Sequence, residues 1–171
     1  MDLRRIFRHL FAPDWLVYRA FPRTALKRME TAIRESEALH NGELRFAVEA
    51  GLDFLPLLRG VTPRSRAREA FSMLRVWDTE ENSGVLIYLQ LVDRRIEIVA
   101  DRGISAKVEQ ATWDTICRRM EEAFRARRFE AGVLEGVAEI TTLLTAHFPA
   151  RRENPDELPD RPVVLYGGQR A

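Results

Sequence analysis

The chain has 171 residues, 46% apolar and 31% charged, which suits one soluble domain with extensions and a core that needs no covalent staples. Twenty-seven Lys and Arg stand against twenty-six Asp and Glu, a formal net charge of +1, so no global field selects nucleic acid or an acidic membrane and electrostatic recognition must be local. The single cysteine, Cys117, excludes an intramolecular disulfide and a multi-cysteine zinc site.

Leu3, Ile6, Phe7, Leu10 and Phe11 recur at i, i+3, i+4, i+7 and i+8 and predict a short helix with Arg4, Arg5 and Arg8 on its other face. Its apolar face is expected to pack on the domain or a partner, with peripheral membrane contact as the alternative. Arginines and Asp14 break the apolar runs of residues 1–22, so they predict neither a secretion signal nor a spanning helix, and a cytoplasmic location is expected. Trp15, Val17, Tyr18 and Phe21 form a linking segment too apolar to lie free in solvent. Thr24 predicts a cap for a helix running to about His40, with Leu26, Met29 and Ile33 inward and Asn41-Gly42 as the stop signal. Residues 43–50 alternate, placing Leu44, Phe46 and Val48 on one side of a first strand.

Residues 51–60 are a proline-interrupted connection whose Leu52, Phe54, Leu55, Leu57 and Leu58 are expected to cover a core edge. Thr62-Pro63 predicts a helix start, with Ala67, Ala70, Phe71 and Leu74 inward and Arg64, Arg68 and Arg75 outward. After the polar loop 78–83, residues 84–104 read as a β-hairpin. Its first strand is an unbroken apolar run buried on both faces, Asp93-Arg94 forms the turn, and residues 95–100 alternate. Trp113, Ile116, Cys117, Met120 and Phe124 then mark an amphipathic helix, with Arg118, Arg119, Glu121 and Glu122 opposite, and a second follows through Val133, Val137, Ile140 and Leu144. Cys117 is expected to be a buried, inert thiol. The three histidines, His9, His40 and His147, lack ligand spacing and are expected at helix ends or on the surface. Residues 150–171 are rich in Pro, Arg, Asp and Glu and are expected to form a mobile tail after an α/β domain at 23–149. The order strand, helix, hairpin, two helices predicts a three-layer α/β/α sandwich around a small mixed sheet, with the first two strands parallel through a right-handed crossover.

The blocks Asn82-Ser83-Gly84-Val85-Leu86-Ile87, Asp93-Arg94-Arg95-Ile96-Glu97-Ile98, Gly103-Ile104, Phe124-Arg125 and Phe129-Glu130-Ala131-Gly132-Val133 carry a family resemblance. In order and spacing, across roughly residues 40–149, they resemble the TPM domain, a family that includes the thylakoid-lumen acid phosphatase and photosystem II repair proteins of plants and many uncharacterised bacterial proteins. The resemblance implies an α/β/α sandwich, divalent-metal binding and a phosphatase-like activity. The chain departs from the family where a glycine-aromatic-glycine turn followed by an acid is replaced by Asp101-Arg102-Gly103-Ile104-Ser105, and where an aspartate at the next helix start is replaced by Gln110.

Hairpin geometry returns Asp101 to the end of the sheet where the loop 78–82 enters, and a parallel first strand brings His40 and Asn41 to the same end. Asp78, Glu80, Glu81, Asn82 and Asp101 are therefore candidates for an oxygen-rich pocket, and Asp78, Glu81, Asn82 and Asp101 are the candidate ligands for Ca2+ or Mg2+. No phosphate loop, nucleophile elbow, H-E-x-x-H pair or basic strand pattern of nucleic-acid readers is present. Two readings remain. One is a noncatalytic interaction or accessory module that engages a protein partner through a surface groove, with the N-terminal helix and C-terminal tail as further contact elements. The other is a divalent-metal-dependent, acid phosphatase-like hydrolase in which Asp78 and Asp101 hold the ion.

Overall fold

The computed structural model describes residues 3–151 and 157–166. Four strands, β1 (Leu44–Glu49), β2 (Val85–Gln90), β3 (Arg95–Ala100) and β4 (Val163–Leu165), form one sheet in the order β3-β2-β1-β4. β1 and β2 are parallel, β2 and β3 are joined as the expected antiparallel hairpin, and β4 adds parallel to the far side of β1. The helices are α1 (Leu3–Leu10), α2 (Trp15–Ala20), α3 (Arg23–Glu37), α4 (Phe54–Leu58), α5 (Pro63–Met73), α6 (Arg102–Ser105), α7 (Gln110–Arg125) and α8 (Phe129–His147). α3, α7 and α8 cover one face of the sheet, and α5 covers the other, which gives the three layers expected.

Strand alternation sorts the core between these layers. Leu44, Phe46, Val48, Val85, Ile87 and Leu89 meet Met29, Ile33, Trp113, Met120, Val137 and Leu144 in the larger core. Ala47, Leu86 and Tyr88 point the other way, onto Ala67 and Ala70 of α5. Every residue of β2 is buried, as its apolar run requires, and each large side chain so buried contributes about 1.5–3 kcal/mol. The crossover helix α5 begins with Thr62, whose hydroxyl accepts the Ser65 backbone N–H while the Thr62 N–H donates to Ser65 Oγ, a reciprocal cap with Pro63 in the first turn.

Several expectations are corrected. α3 starts at Arg23 after Pro22, so Thr24 lies inside the helix, which ends at Glu37. The linking segment is the helix α2, with Val17 and Phe21 fully buried against the larger core. The connection 51–60 contains α4, and only Leu52 and Leu57 are buried; Phe54, Leu55 and Leu58 are exposed. Within the segment read as a tail, 163–165 forms β4, while residues 152–156 and 167–171 lie outside the described residues. Glu121, expected outside, is buried on α7 and accepts the Ile96 backbone N–H.

α1 differs most. It buries Ile6 and His9, while Leu3, Phe7, Leu10 and Phe11 face solvent. A polar clasp sets this rotation. Arg5 donates to both oxygens of Asp93, at 2.8–3.1 Å, and to Val61 O at 3.0 Å. His9 Nδ1 accepts the Leu52 N–H at 2.9 Å, which puts the ring proton on Nε2, where it is donated to Asp93 Oδ1 at 3.0 Å. A helix turned to keep these bonds has to leave its apolar stripe outside.

Candidate functional site

The loop before β2 and the turn after β3 meet at one end of the sheet, as hairpin geometry requires. The Gly103 and Ile104 N–H groups both donate to Asn82 O, at 2.9 and 3.3 Å. Only glycine fits at 103, because a Cβ there would overlap Glu81 O and lie 2.6 Å from Asn82 O. Asn82 itself turns the chain with φ of +54°, a left-handed conformation that asparagine tolerates. Asp101 caps α6 by accepting the Arg102 N–H at 2.7 Å.

The side chains of this junction are engaged by arginines. Asp78 accepts from Arg75 at 2.5 Å, Glu81 pairs with Arg151, and Asn82 Oδ1 accepts from Arg102 Nε at 2.7 Å. Glu80, at the same end, accepts none of these, and its backbone N–H donates to Glu157. Asp101 Oδ2 is buried and accepts no hydrogen bond from the described residues. Among the described residues, no group of three or more His, Cys, Asp or Glu is arranged to hold a metal ion. As placed, these side chains do not fit a hard cation, which takes six or more oxygens: Asp101 Oδ2 is ready, but Asp78, Glu81 and Asn82 would first have to leave their arginines.

His40 and Asn41 come to the same end, but in structural roles. His40, fully buried, accepts the Gly42 N–H on Nδ1 and donates from Nε2 to Ser36 Oγ, which in turn bonds Thr141. Burial holds the imidazole below its ordinary pKa. His9 is also fully enclosed in its clasp, so two of the three histidines lie deeper than their helix-end positions suggest.

A broad concavity lies elsewhere, beside β4. A groove of about 930 Å3 runs between the start of α3 and the C-terminal segment. Arg23, Lys27, Arg45 and Arg161 line it, with Tyr18 and Tyr166 hydrogen-bonded to each other at 2.9 Å across one end. Its acid, Glu30, is shared by Lys27 at 3.2 Å and Arg34 at 3.4 Å, so positive charge is in surplus. A second cleft of about 360 Å3 includes Arg64, Glu97, Asp114, Cys117 and Glu121. Burial pushes the Cys117 thiol up to about 12, so it stays protonated and makes no thiolate nucleophile at neutral pH.

Sequence reasoning missed a buried polar triad between the sheet and α5. Arg66 donates to both oxygens of Glu49, at 2.8 and 3.1 Å, and the Tyr88 hydroxyl donates to Glu49 Oε2 at 2.6 Å. Arg66 sits among outward arginines, and nothing in its spacing marks it; Glu49 occupies an alternate position of β1 that would be solvated if α5 did not cover it. With an ion pair satisfying it and neither described cleft opening onto it, the triad reads as internal glue.

Residues 19–143 match the TPM domain family. Among solved structures, the BA42 protein of the psychrophilic bacterium Bizionia argentinensis is similar at 27% identity with a TM-score of 0.75, covering 85% of this chain and 95% of that one. The N-terminal domain of a protein from P. gingivalis is similar in fold, with 17% identity, a TM-score of 0.54, and coverage of 82% and 95%. No curated protein matches the chain. Among the described residues no helix is long and apolar enough to cross a membrane.

Proposed function

The chain belongs to the TPM domain family, and from that premise we propose that it is a noncatalytic accessory module whose groove receives an acidic, extended segment of a protein partner. The observation that carries this reading is the cationic groove beside an edge strand. β4 ends the sheet, so among the described residues its outer side has no strand neighbour, and Arg23, Lys27 and Arg161 stand alongside it. An incoming strand would gain main-chain hydrogen bonds from β4 while its carboxylates met those cations. Engagement of Asp78, Glu81 and Asn82 by arginines supports the noncatalytic part.

The test is an amide NMR titration with a synthetic peptide of alternating valine and glutamate. Shifts confined to residues 18–30 and 159–166, weakened about tenfold in an Arg23→Glu/Lys27→Glu variant, are expected. No shifts at millimolar peptide, or equal shifts in the variant, would remove the groove from consideration.

A divalent-metal-dependent, phosphatase-like hydrolase is the second reading, favoured by the orphaned Asp101 Oδ2. Asp101, with Asp78, Glu81 and Asn82 released from their arginines, would supply oxygens to Ca2+ or Mg2+. Hydrolysis of p-nitrophenyl phosphate by the wild type that disappears in Asp101→Ala, together with Ca2+- or Mg2+-induced shifts in loops 78–82 and 101–105, would establish this reading over the first.

A further inference from the structure

We propose that α1 and α4 together form a docking face for the surface of an anionic lipid bilayer. Leu3, Phe7 and Leu10 of α1 and Phe11 just after it are 59%, 60%, 46% and 77% exposed, and α4, packed against α1 through Ile6, Leu52 and Leu57, exposes Phe54, Leu55 and Leu58 to a similar degree. The Phe7 and Phe11 rings stack on each other at 6.2 Å without covering each other from solvent. An exposed apolar surface of this extent on a folded domain marks an interaction site.

The exposure is built into the fold. Arg5, His9 and Asp93 hold α1 by its polar side, with His9 fully buried and its bonds satisfied, so the helix cannot turn its stripe inward without breaking the clasp. The stripe therefore stays available on the folded molecule.

Charge selects the occupant. None of the α1 or α4 side chains lines either of the two cavities described above. Arg8 on α1 and Arg59 just after α4 lie exposed beside the apolar residues, against one exposed acid there, Asp53 at the start of α4. Aromatic and leucine side chains flanked by arginine suit the boundary between acyl chains and anionic headgroups, where the rings enter and the guanidinium groups remain with phosphate. This face is separate from the groove at β4, so either proposal can fail without the other.

The experiment is co-sedimentation of the full chain with phosphatidylcholine vesicles, with and without phosphatidylglycerol. Binding to the anionic vesicles, weakened by salt, is expected, and a Phe7→Ser/Phe11→Ser variant should lose about tenfold or more in partitioning while its amide spectrum stays folded. Arg8→Glu should reduce binding to the anionic vesicles and leave the neutral ones unaffected. Absence of binding to anionic vesicles, equal binding to neutral ones, or undiminished binding of the double variant would overturn the proposal. So would self-association of the wild type that the double variant abolishes without any vesicle binding, which would assign the face to a second copy.

Discussion

Glu49 and Arg66 are 1% and 6% exposed, so Glu49 relies on Arg66 and Tyr88, and Arg66 on Glu49 and Glu69, for the hydrogen bonds that water would otherwise supply. Burial works against the charge on Arg66, but the hydrogen bonds and charge of Glu49, and after it of Glu69, outweigh it and hold the guanidinium above its ordinary value. The Tyr88 hydroxyl is pushed up by burial and by the Glu49 carboxylate, and remains a donor. Removing Arg66 leaves the buried Glu49 carboxylate without its counter-charge. Arg66→Ala should therefore cost about 3–5 kcal/mol in urea unfolding, while Tyr88→Phe, which keeps the ion pair, should cost about 1 kcal/mol. If Arg66→Ala cost no more than Tyr88→Phe, Glu49 would have to have found water, and the triad would not be sealed.

Two elements are held by polar contacts across long stretches of chain. α1 depends on Asp93, which lies 84 residues from His9 and 88 from Arg5. Burial raises the Asp93 carboxyl, but hydrogen bonds from His9 and Arg5 and the Arg5 charge outweigh it and hold it below the usual carboxylate range. The stability it lends is therefore present above about pH 4 and is lost only as pH falls further, through the folded value. Asp93→Asn should lower stability by about 1–3 kcal/mol and deprotect the α1 amides to hydrogen exchange before any others in the domain. Unchanged α1 protection in that variant would mean that Ile6 alone anchors the helix.

The strap 157–166 has the opposite sign. Glu43 accepts the Glu157 and Leu158 N–H groups, and Arg34 reaches Asp160 at 2.9 Å. Burial first, then a hydrogen bond with Asp160 and the nearby charge of Glu43, push Glu37 from 4.5 up to about 10, so it is protonated at neutral pH. Because the folded value is the higher one, its contribution is complete below pH 4.5 and is lost as pH rises toward 10, at a slope of up to about 1.4 kcal/mol per pH unit. Urea midpoints across pH 5 to 9 should fall in the wild type and flatten in Glu37→Gln. Parallel curves for the two proteins would show that Glu37 ionises freely and that the strap is held by other contacts.

Across the whole molecule, the layers were legible wherever one period ran uninterrupted. The apolar run of β2, the turn at 93–94 and the stripe from Trp113 to Phe124 each specify an element without outside help, and α5 as a right-handed crossover makes β1 and β2 parallel. The meeting of loops 78–82 and 101–105 follows from the same hairpin. What escaped was decided by distant partners. α1 was read by its apolar stripe, but a clasp to residue 93 sets its rotation. β4 is three residues in a proline-rich stretch, too short for any period, and becomes a strand because β1 offers it an edge. The acids at the candidate metal site were visible, whereas Arg151 and Arg102, which come from other segments to engage Glu81 and Asn82, were not.

The parallel pairing of β4 with β1 also sets a timetable for synthesis. Val48 must wait for Val164, more than a hundred residues later, before its second flank is closed. At ordinary elongation rates that interval is on the order of ten seconds. Until it ends, an apolar strand destined for the interior of the sheet presents a bare ladder of backbone donors and acceptors, which invites pairing with neighbouring nascent chains. Truncation before residue 163 would make that transient state permanent, and aggregation during expression, more than loss of a surface feature, is the defect to expect.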